Sequence, residues 1–136
     1  MFPVTARLRA AYLATAYIVA LPGRRITLRI GRPPPPLPWG TCRHAAFVTA
    51  ANPHGIAYRP CDNLRATRRL GVRLRHAGLR QLPGEGVADT GDWPAEHSVL
   101  VFGLTPRAAA ALGRHLRQNA ILRLRQRSYV TLWPLR

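Results

Sequence analysis

The sequence predicts an α+β fold: one domain over residues 1–136, a two-layer sandwich of a mostly antiparallel sheet with two main helices and a short N-terminal helix. Three observations lead there. Ile26, Leu28 and Ile30 alternate with Arg25, Thr27 and Arg29 just after Pro22-Gly23, the pattern of a half-buried strand closing a hairpin over Ala16–Ile30. Thr105-Pro106 opens a helix immediately behind the apolar strand His97–Gly103, with Thr as cap and Pro where its missing N–H costs nothing. The predicted order is strand pair, strand, helix, short strand or loop, strand, helix, strand pair. Two long helices are too few for the crossovers of a doubly wound parallel sheet.

The elements follow in chain order. Thr5 caps a short helix over Ala6–Leu13, and a strand follows at Ala16–Ala20. Arg7 and Arg9 before an apolar run imitate a secretory signal, but Tyr12, Thr15 and Tyr17 interrupt that run, which therefore reads as folded structure. Gly31–Gly40, GRPPPPLPWG, is incompatible with helix or central strand, so Pro33–Pro38 forms a surface loop. Arg32, Pro35 and Pro38 also fit a polyproline ligand, which would make the chain an adaptor. His44–Ala50 is a third strand running into the turn cluster Asn52-Pro53-His54-Gly55.

Asp62 is the expected cap of a helix with the apolar stripe Leu64, Thr67, Leu70/Gly71, Leu74 and Ala77, and Gly78 stops it. Arg65, Arg69, Arg73 and His76 share its other face. Residues 81–94 read as loop with a short strand near Leu82, the acidic part spanning 84–94. The helix after Thr105 is expected to bury Ala108, Ala109, Leu112 and Leu116. Ile121–Leu124 and Tyr129–Trp133 complete the sheet, the last as an edge strand before Pro134.

Net charge is +16, from 21 basic residues, all arginine, against 5 acidic ones. The absence of lysine is what codon bias in a GC-rich genome produces, yet the field is real whatever its origin and favours polyanions. The arginine faces read either as a merely basic, solvated surface or as a site for nucleic acid or another polyanion, met by Arg65, Arg69 and Arg73 and by a C-terminal strip of Arg123, Arg125 and Arg127 beside Tyr129 and Trp133. Cys42 and Cys61 make no disulfide framework, which points to a reducing cytoplasm. No membrane span, cofactor or metal is expected; forcing Cys42, His44, His54 and Cys61 into a zinc site violates the usual tight ligand pairing. The sequence does not specify an oligomeric state.

Four of the 5 acidic residues, Glu85, Asp89, Asp92 and Glu96, lie within a dozen positions. They read as counter-charges for nearby arginines, as hard oxygen ligands for a divalent ion, or, for Glu96 ahead of a buried strand, as a desolvated general acid or base. Asn52, Asn63, Gln118 and Asn119 sit at element boundaries, where amides ordinarily satisfy free backbone groups. The alternative is that these boundaries meet, giving a small-ligand or enzymatic site of Arg29, Asn52, Asn63, Glu96, Ser98, Gln118 and Asn119. No motif identifies a catalytic residue.

Tyr12-x-x-Thr15-x-Tyr17, Leu28-Arg29-Ile30-Gly31, Thr49-Ala50-Ala51-Asn52-Pro53, Asn63, Trp93-x-x-Glu96-x-Ser98 and Gln118-Asn119-Ala120 together resemble the bacterial family called domain of unknown function 3293. The resemblance covers nearly the whole chain and implies a small single-domain protein without an assigned activity. It also implies that the N-terminal segment belongs to the fold. The proline loop is an elaboration of this chain, and Ala51 stands where an aromatic is more typical.

Overall fold

The computed structural model describes residues 5–91 and 93–135. Its elements in order are α1 (Ala6–Leu13), β1 (Thr15–Leu21), β2 (Arg24–Leu28), β3 (His44–Val48), α2 (Pro60–His76), β4 (Gln81–Ala88), β5 (Glu96–Phe102), α3 (Pro106–His115), β6 (Ala120–Arg125) and β7 (Thr131–Pro134). The strands form one 7-stranded sheet in the order β2-β1-β4-β5-β3-β6-β7, with every neighbouring pair antiparallel. The α+β class therefore holds, and β7 is an edge strand as expected.

Strand parity divides the interior into two cores. Ala46 and Val48 of β3, Val99 and Val101 of β5 and Ile121 of β6 face the helices, where they meet Leu70 and Leu74 of α2 and Ala109, Ala110 and Leu112 of α3. The alternate residues, among them Tyr17, Val19, Phe47, Leu100, Phe102, Leu122 and Leu132, form the second core on the curled inner face of the sheet. Helices cover the first face, so β3 and β5 had to be apolar on both sides. The inner face is closed by Tyr12 of α1 and by Leu37 and Trp39 of the proline segment, a cover that a plain two-layer reading leaves out.

The proline segment is thus part of the packing. Trp39 meets Phe102 edge to face at 5.7 Å, Arg80 Nη2 donates to the Trp39 carbonyl at 2.8 Å, and Gly31 N–H donates to the Val130 carbonyl at 2.8 Å. The N-terminal segment is also folded structure, with Thr5 Oγ1 accepting from Leu8 N–H at the start of α1. Among the described residues no helix is long and apolar enough to cross a membrane.

Several expectations need correction. Residues 81–88 are a full strand in mid-sheet, not mainly loop, so the acidic stretch 84–94 begins within β4. Pro83 misled the sequence reading because proline is rare in central strands. It is tolerated because the β1 ladder ends at Gly84, leaving Pro83 paired only with Val99 of β5. Helix α2 starts at Pro60, one turn's beginning earlier than a cap at Asp62 allows; Asp62 instead sits in the first turn, where its charge suits the helix dipole. Its buried residues are Leu70 and Leu74, while Leu64 is exposed. In α3, Ala108 is exposed, and Ala110 and Gly113 are buried in its stead.

Candidate functional site

A cavity of about 380 Å³ opens at one end of the inner sheet face. Its existence follows from register. On β5, Glu96 and Ser98 point inward, two residues apart on the same face. Opposite them on β4 stand Gly86 and Gly84, and Gly86 also faces Tyr17 of β1. The two glycines do different things. At Gly84 the close approach is required, since a Cβ there would lie 2.6 Å from the Ile18 carbonyl oxygen and 2.9 Å from the Phe47 ring. At Gly86 an added Cβ would meet nothing nearer than 3.8 Å, so this glycine leaves volume open.

The walls come from distant parts of the chain. Helix α1 supplies Leu8, Ala11 and Tyr12; Trp93 precedes β5; Phe47 and Thr49 come from β3 and its exit. The floor includes Leu122 and Leu132, and the polar end holds Asn52, Gln118 and Asn119. Tyr17 and Phe47 meet edge to face at 5.4 Å, which fixes the aromatic wall.

Two loops are tied together to make the polar end. Gln118 Nε2 donates to the Ala51 carbonyl at 3.0 Å, and His54 N–H donates to the Arg117 carbonyl at 2.7 Å. Asn52 adopts left-handed backbone at φ 47°, a conformation asparagine accepts more readily than most residues. Its Oδ1 accepts from Tyr58 N–H at 2.9 Å and from Asn63 Nδ2 at 2.8 Å, while Asn63 Oδ1 accepts from Asn52 N–H at 2.9 Å. Asn63 therefore stands behind Asn52 as a support. Asn119 differs. Its side-chain oxygen is buried without a partner among the described residues, although the residue is only 7% exposed.

Glu96 is half-buried at the head of β5, and its Oε1 accepts from Trp93 Nε1 at 2.9 Å. Burial raises its pKa above the ordinary carboxylate value, and hydrogen bonds from Trp93 and Asn52 only partly oppose the shift. Burial, with a smaller contribution from the Glu96 charge, pushes the Tyr12 phenol up to about 12, and Tyr17 is raised mainly by burial too. At neutral pH both phenols are protonated, and Tyr17 donates to the Tyr12 carbonyl at 3.2 Å.

Of the residues named for this site from the sequence, Asn52, Glu96, Ser98, Gln118 and Asn119 line the one cavity, and Asn63 supports Asn52 from the second layer. Arg29 is not in the lining; it pairs with Asp89 at 2.8 Å, next to the lining residue Ala88. Sequence reasoning missed Gly86, Tyr12, Tyr17, Phe47 and Trp93 as wall-formers. The alternation Gly84-Glu85-Gly86 was the available signal, had it been read as strand.

The other acidic residues lie elsewhere. Glu85 pairs with Arg25 and Asp89 with Arg29, while Asp92 falls outside the described residues. No three His, Cys, Asp or Glu side chains cluster among the described residues; Cys42 packs at the inner core and Cys61 is exposed on α2.

The arginines occupy other surfaces. On α2, Arg65, Arg68, Arg69, Arg73 and His76 surround Val72 in a shallow groove. None of these forms one of the ion pairs found among the described residues. In the C-terminal strip, the Arg123 guanidinium stacks on Trp133 at 4.2 Å, so these two already engage each other. Arg125, Arg127 and Tyr129 are exposed, Tyr129 at 61%.

Comparison with curated proteins and with solved structures finds no match. The family model described as Protein of unknown function (DUF3293) matches residues 48–121, more than half of the 136-residue chain. That stretch contains Asn52, Asn63, Glu96, Ser98, Gln118 and Asn119, and leaves out the proline segment. The chain belongs to the family Protein of unknown function (DUF3293).

Proposed function

We propose that this protein is a small-molecule-binding domain whose site is the cavity at the Glu96 end of the inner sheet face. One observation carries the reading: polar side chains from the β3–α2 loop, the start of β5 and the α3–β6 loop converge on one cavity with aromatic walls. Its volume of about 380 Å³ lies in the range of small-ligand sites, roughly 300–1,000 Å³. The mixture of apolar wall and few polar groups is also that of such sites. Whether Glu96 acts further as general acid or base depends on what is bound; burial gives it the raised proton affinity such a role uses. The test is titration with aromatic fragments, followed at the Trp93 indole N–H resonance, in wild type and in Gly86→Leu. Leucine at 86 fills the cavity from the one wall position with room for it. Fragments that shift Trp93 in wild type and not in the filled variant support the reading. A panel that leaves Trp93 unmoved refutes it.

A second reading has its own observation. The five basic side chains around Val72 on α2, in a chain of net charge +16, suit a phosphate backbone. Under this reading the α2 face binds RNA or DNA, with Arg125, Arg127 and Tyr129 as further candidates and with Arg123 and Trp133 presenting a stacked pair. Binding of single-stranded RNA measured against salt should show a steep slope, reduced by about 2 in Arg65→Ala/Arg69→Ala/Arg73→Ala, since each lost phosphate contact removes about 0.7. Equal slopes refute the assignment to α2. The reducing cytoplasm is the setting we assign, on the two free cysteines.

A further inference from the structure

We infer that the cavity takes a planar aromatic or heteroaromatic molecule bearing an N–H donor group, of the amidine, guanidine or amino-heterocycle class, and that Glu96 receives its hydrogen bonds. This rests on the small-molecule reading above and names its ligand class.

Hydrogen-bonding capacity around the cavity is unevenly used. Most donors around the cavity are already engaged within the protein. Trp93 Nε1 donates to Glu96, Gln118 Nε2 to the carbonyls of Ala51 and Leu116, Ser98 Oγ to the Glu96 carbonyl and Thr49 Oγ1 to the His97 carbonyl. Acceptors remain in excess. A carboxylate offers about four lone-pair sites, more than Trp93 and Asn52 use on Glu96. The Tyr12 hydroxyl can serve either way, so it does not discriminate. A partly desolvated carboxylate with unused acceptor sites gains charge-assisted hydrogen bonds from a ligand that donates to it.

Charge points the same way. Among the described residues lining the cavity, Glu96 is the single carboxylate and none is Arg or His, in a chain with 21 arginines. An anionic ligand would meet a carboxylate in a partly desolvated space whose described lining holds no cation, Arg29 near Tyr17 being already paired with Asp89. The cavity and the α2 groove therefore select opposite chemistries. The aromatic side chains of Tyr12, Tyr17, Phe47 and Trp93 supply faces and edges for a flat ring.

The test uses three probes of nearly equal shape: benzamidine, which donates; acetophenone, which does not; and benzoate, which is anionic. Each is titrated into the full chain while the Trp93 indole N–H resonance is followed. Benzamidine is expected to bind about tenfold more tightly than either analogue, as a charge-assisted hydrogen bond implies. Glu96→Gln should remove about the same factor for benzamidine. Thermal unfolding of the variant establishes that it is folded. If acetophenone or benzoate binds in the cavity as well as benzamidine, the donor inference is overturned while the small-molecule reading stands. If benzamidine fails to bind, or binds equally to wild type and Glu96→Gln, the inference is likewise overturned, and the broader fragment titration decides the site itself.

Discussion

Replacing Asn52 separates the contributions that shape the polar end of the cavity. Besides donating to the half-buried Glu96, a bond that water can replace, the side chain does two things for stability: it tolerates φ 47°, and its Oδ1 accepts from Tyr58 N–H and Asn63 Nδ2. Left-handed backbone costs an ordinary L-residue about 1 kcal/mol more than asparagine or glycine. Each half-buried donor left without its acceptor costs about 1 kcal/mol, the low end of the range because water reaches part of this region. Asn52→Ala should therefore destabilise by about 3 kcal/mol. Asn52→Gly, relieved of the backbone strain, should lose about 2 kcal/mol. Asn52→Asp keeps both the acceptor and the left-handed tolerance, so it should lose about 1 kcal/mol at neutral pH, chiefly by setting a second carboxylate near Glu96. Urea unfolding followed by tryptophan fluorescence measures all three, and the alanine variant should melt about 10 °C lower. If alanine proves no worse than glycine, the backbone part of the reasoning is wrong. If aspartate is as harmful as alanine, Oδ1 is not the acceptor that matters.

Other expectations follow from single environments. Gly71→Ala on α2 should stabilise by about 0.5–1 kcal/mol, because the new Cβ meets only ordinary contacts at 3.6 Å and 3.8 Å. Gly113→Ala on α3 should instead destabilise by about 1 kcal/mol, overpacking outweighing helix propensity, since its Cβ would fall 2.5 Å from Leu135 and 2.7 Å from Ile121; equal signs in chemical denaturation would contradict this. Glu96 has a raised pKa in the folded state, so the stability its protonated form contributes is complete below the ordinary value of 4.5 and is lost as pH rises through the folded value. Glu96→Gln should gain on wild type across that window and level off above it; parallel stability profiles from pH 4 to pH 8 would show that burial does not act on this carboxylate. Asp89 is shifted the other way, first by its hydrogen bond from Arg29, so its contribution is present above 3.8 and lost as pH falls through the folded value. Arg29→Met should cost less than about 1 kcal/mol at neutral pH, because both partners reach solvent, and a loss above about 2 kcal/mol would overturn that.

Local signals were legible where a few consecutive residues carry them. Thr5 and Thr105 accept the hydrogen bonds expected of helix caps, and the turn at Pro22-Gly23 joins β1 to β2. The amides also behave partly as boundary chemistry requires: Asn52 satisfies Tyr58 N–H, Asn63 satisfies Asn52 N–H, and Gln118 satisfies the Ala51 carbonyl. Those bonds join loops 11 and 67 residues apart in sequence, a pairing that composition does not disclose. Strand β4 was obscured because Pro83, Gly84 and Gly86 all speak for loop when taken alone. In the sheet each has a reason that lies in a neighbouring strand.

What the sequence determined by itself was the class of fold, the positions of the caps and most strands, and the electrostatic sign of the surface. Periodicity and capping act over a few residues, and charge simply sums. Tertiary structure decided the rest. It set Gly86 opposite Glu96, folded α1 across the inner face, kept every described arginine out of the cavity lining and left the Asn119 oxygen buried without a donor among the described residues. A cavity is the space that side chains from several strands fail to fill, and only their register determines where that failure falls.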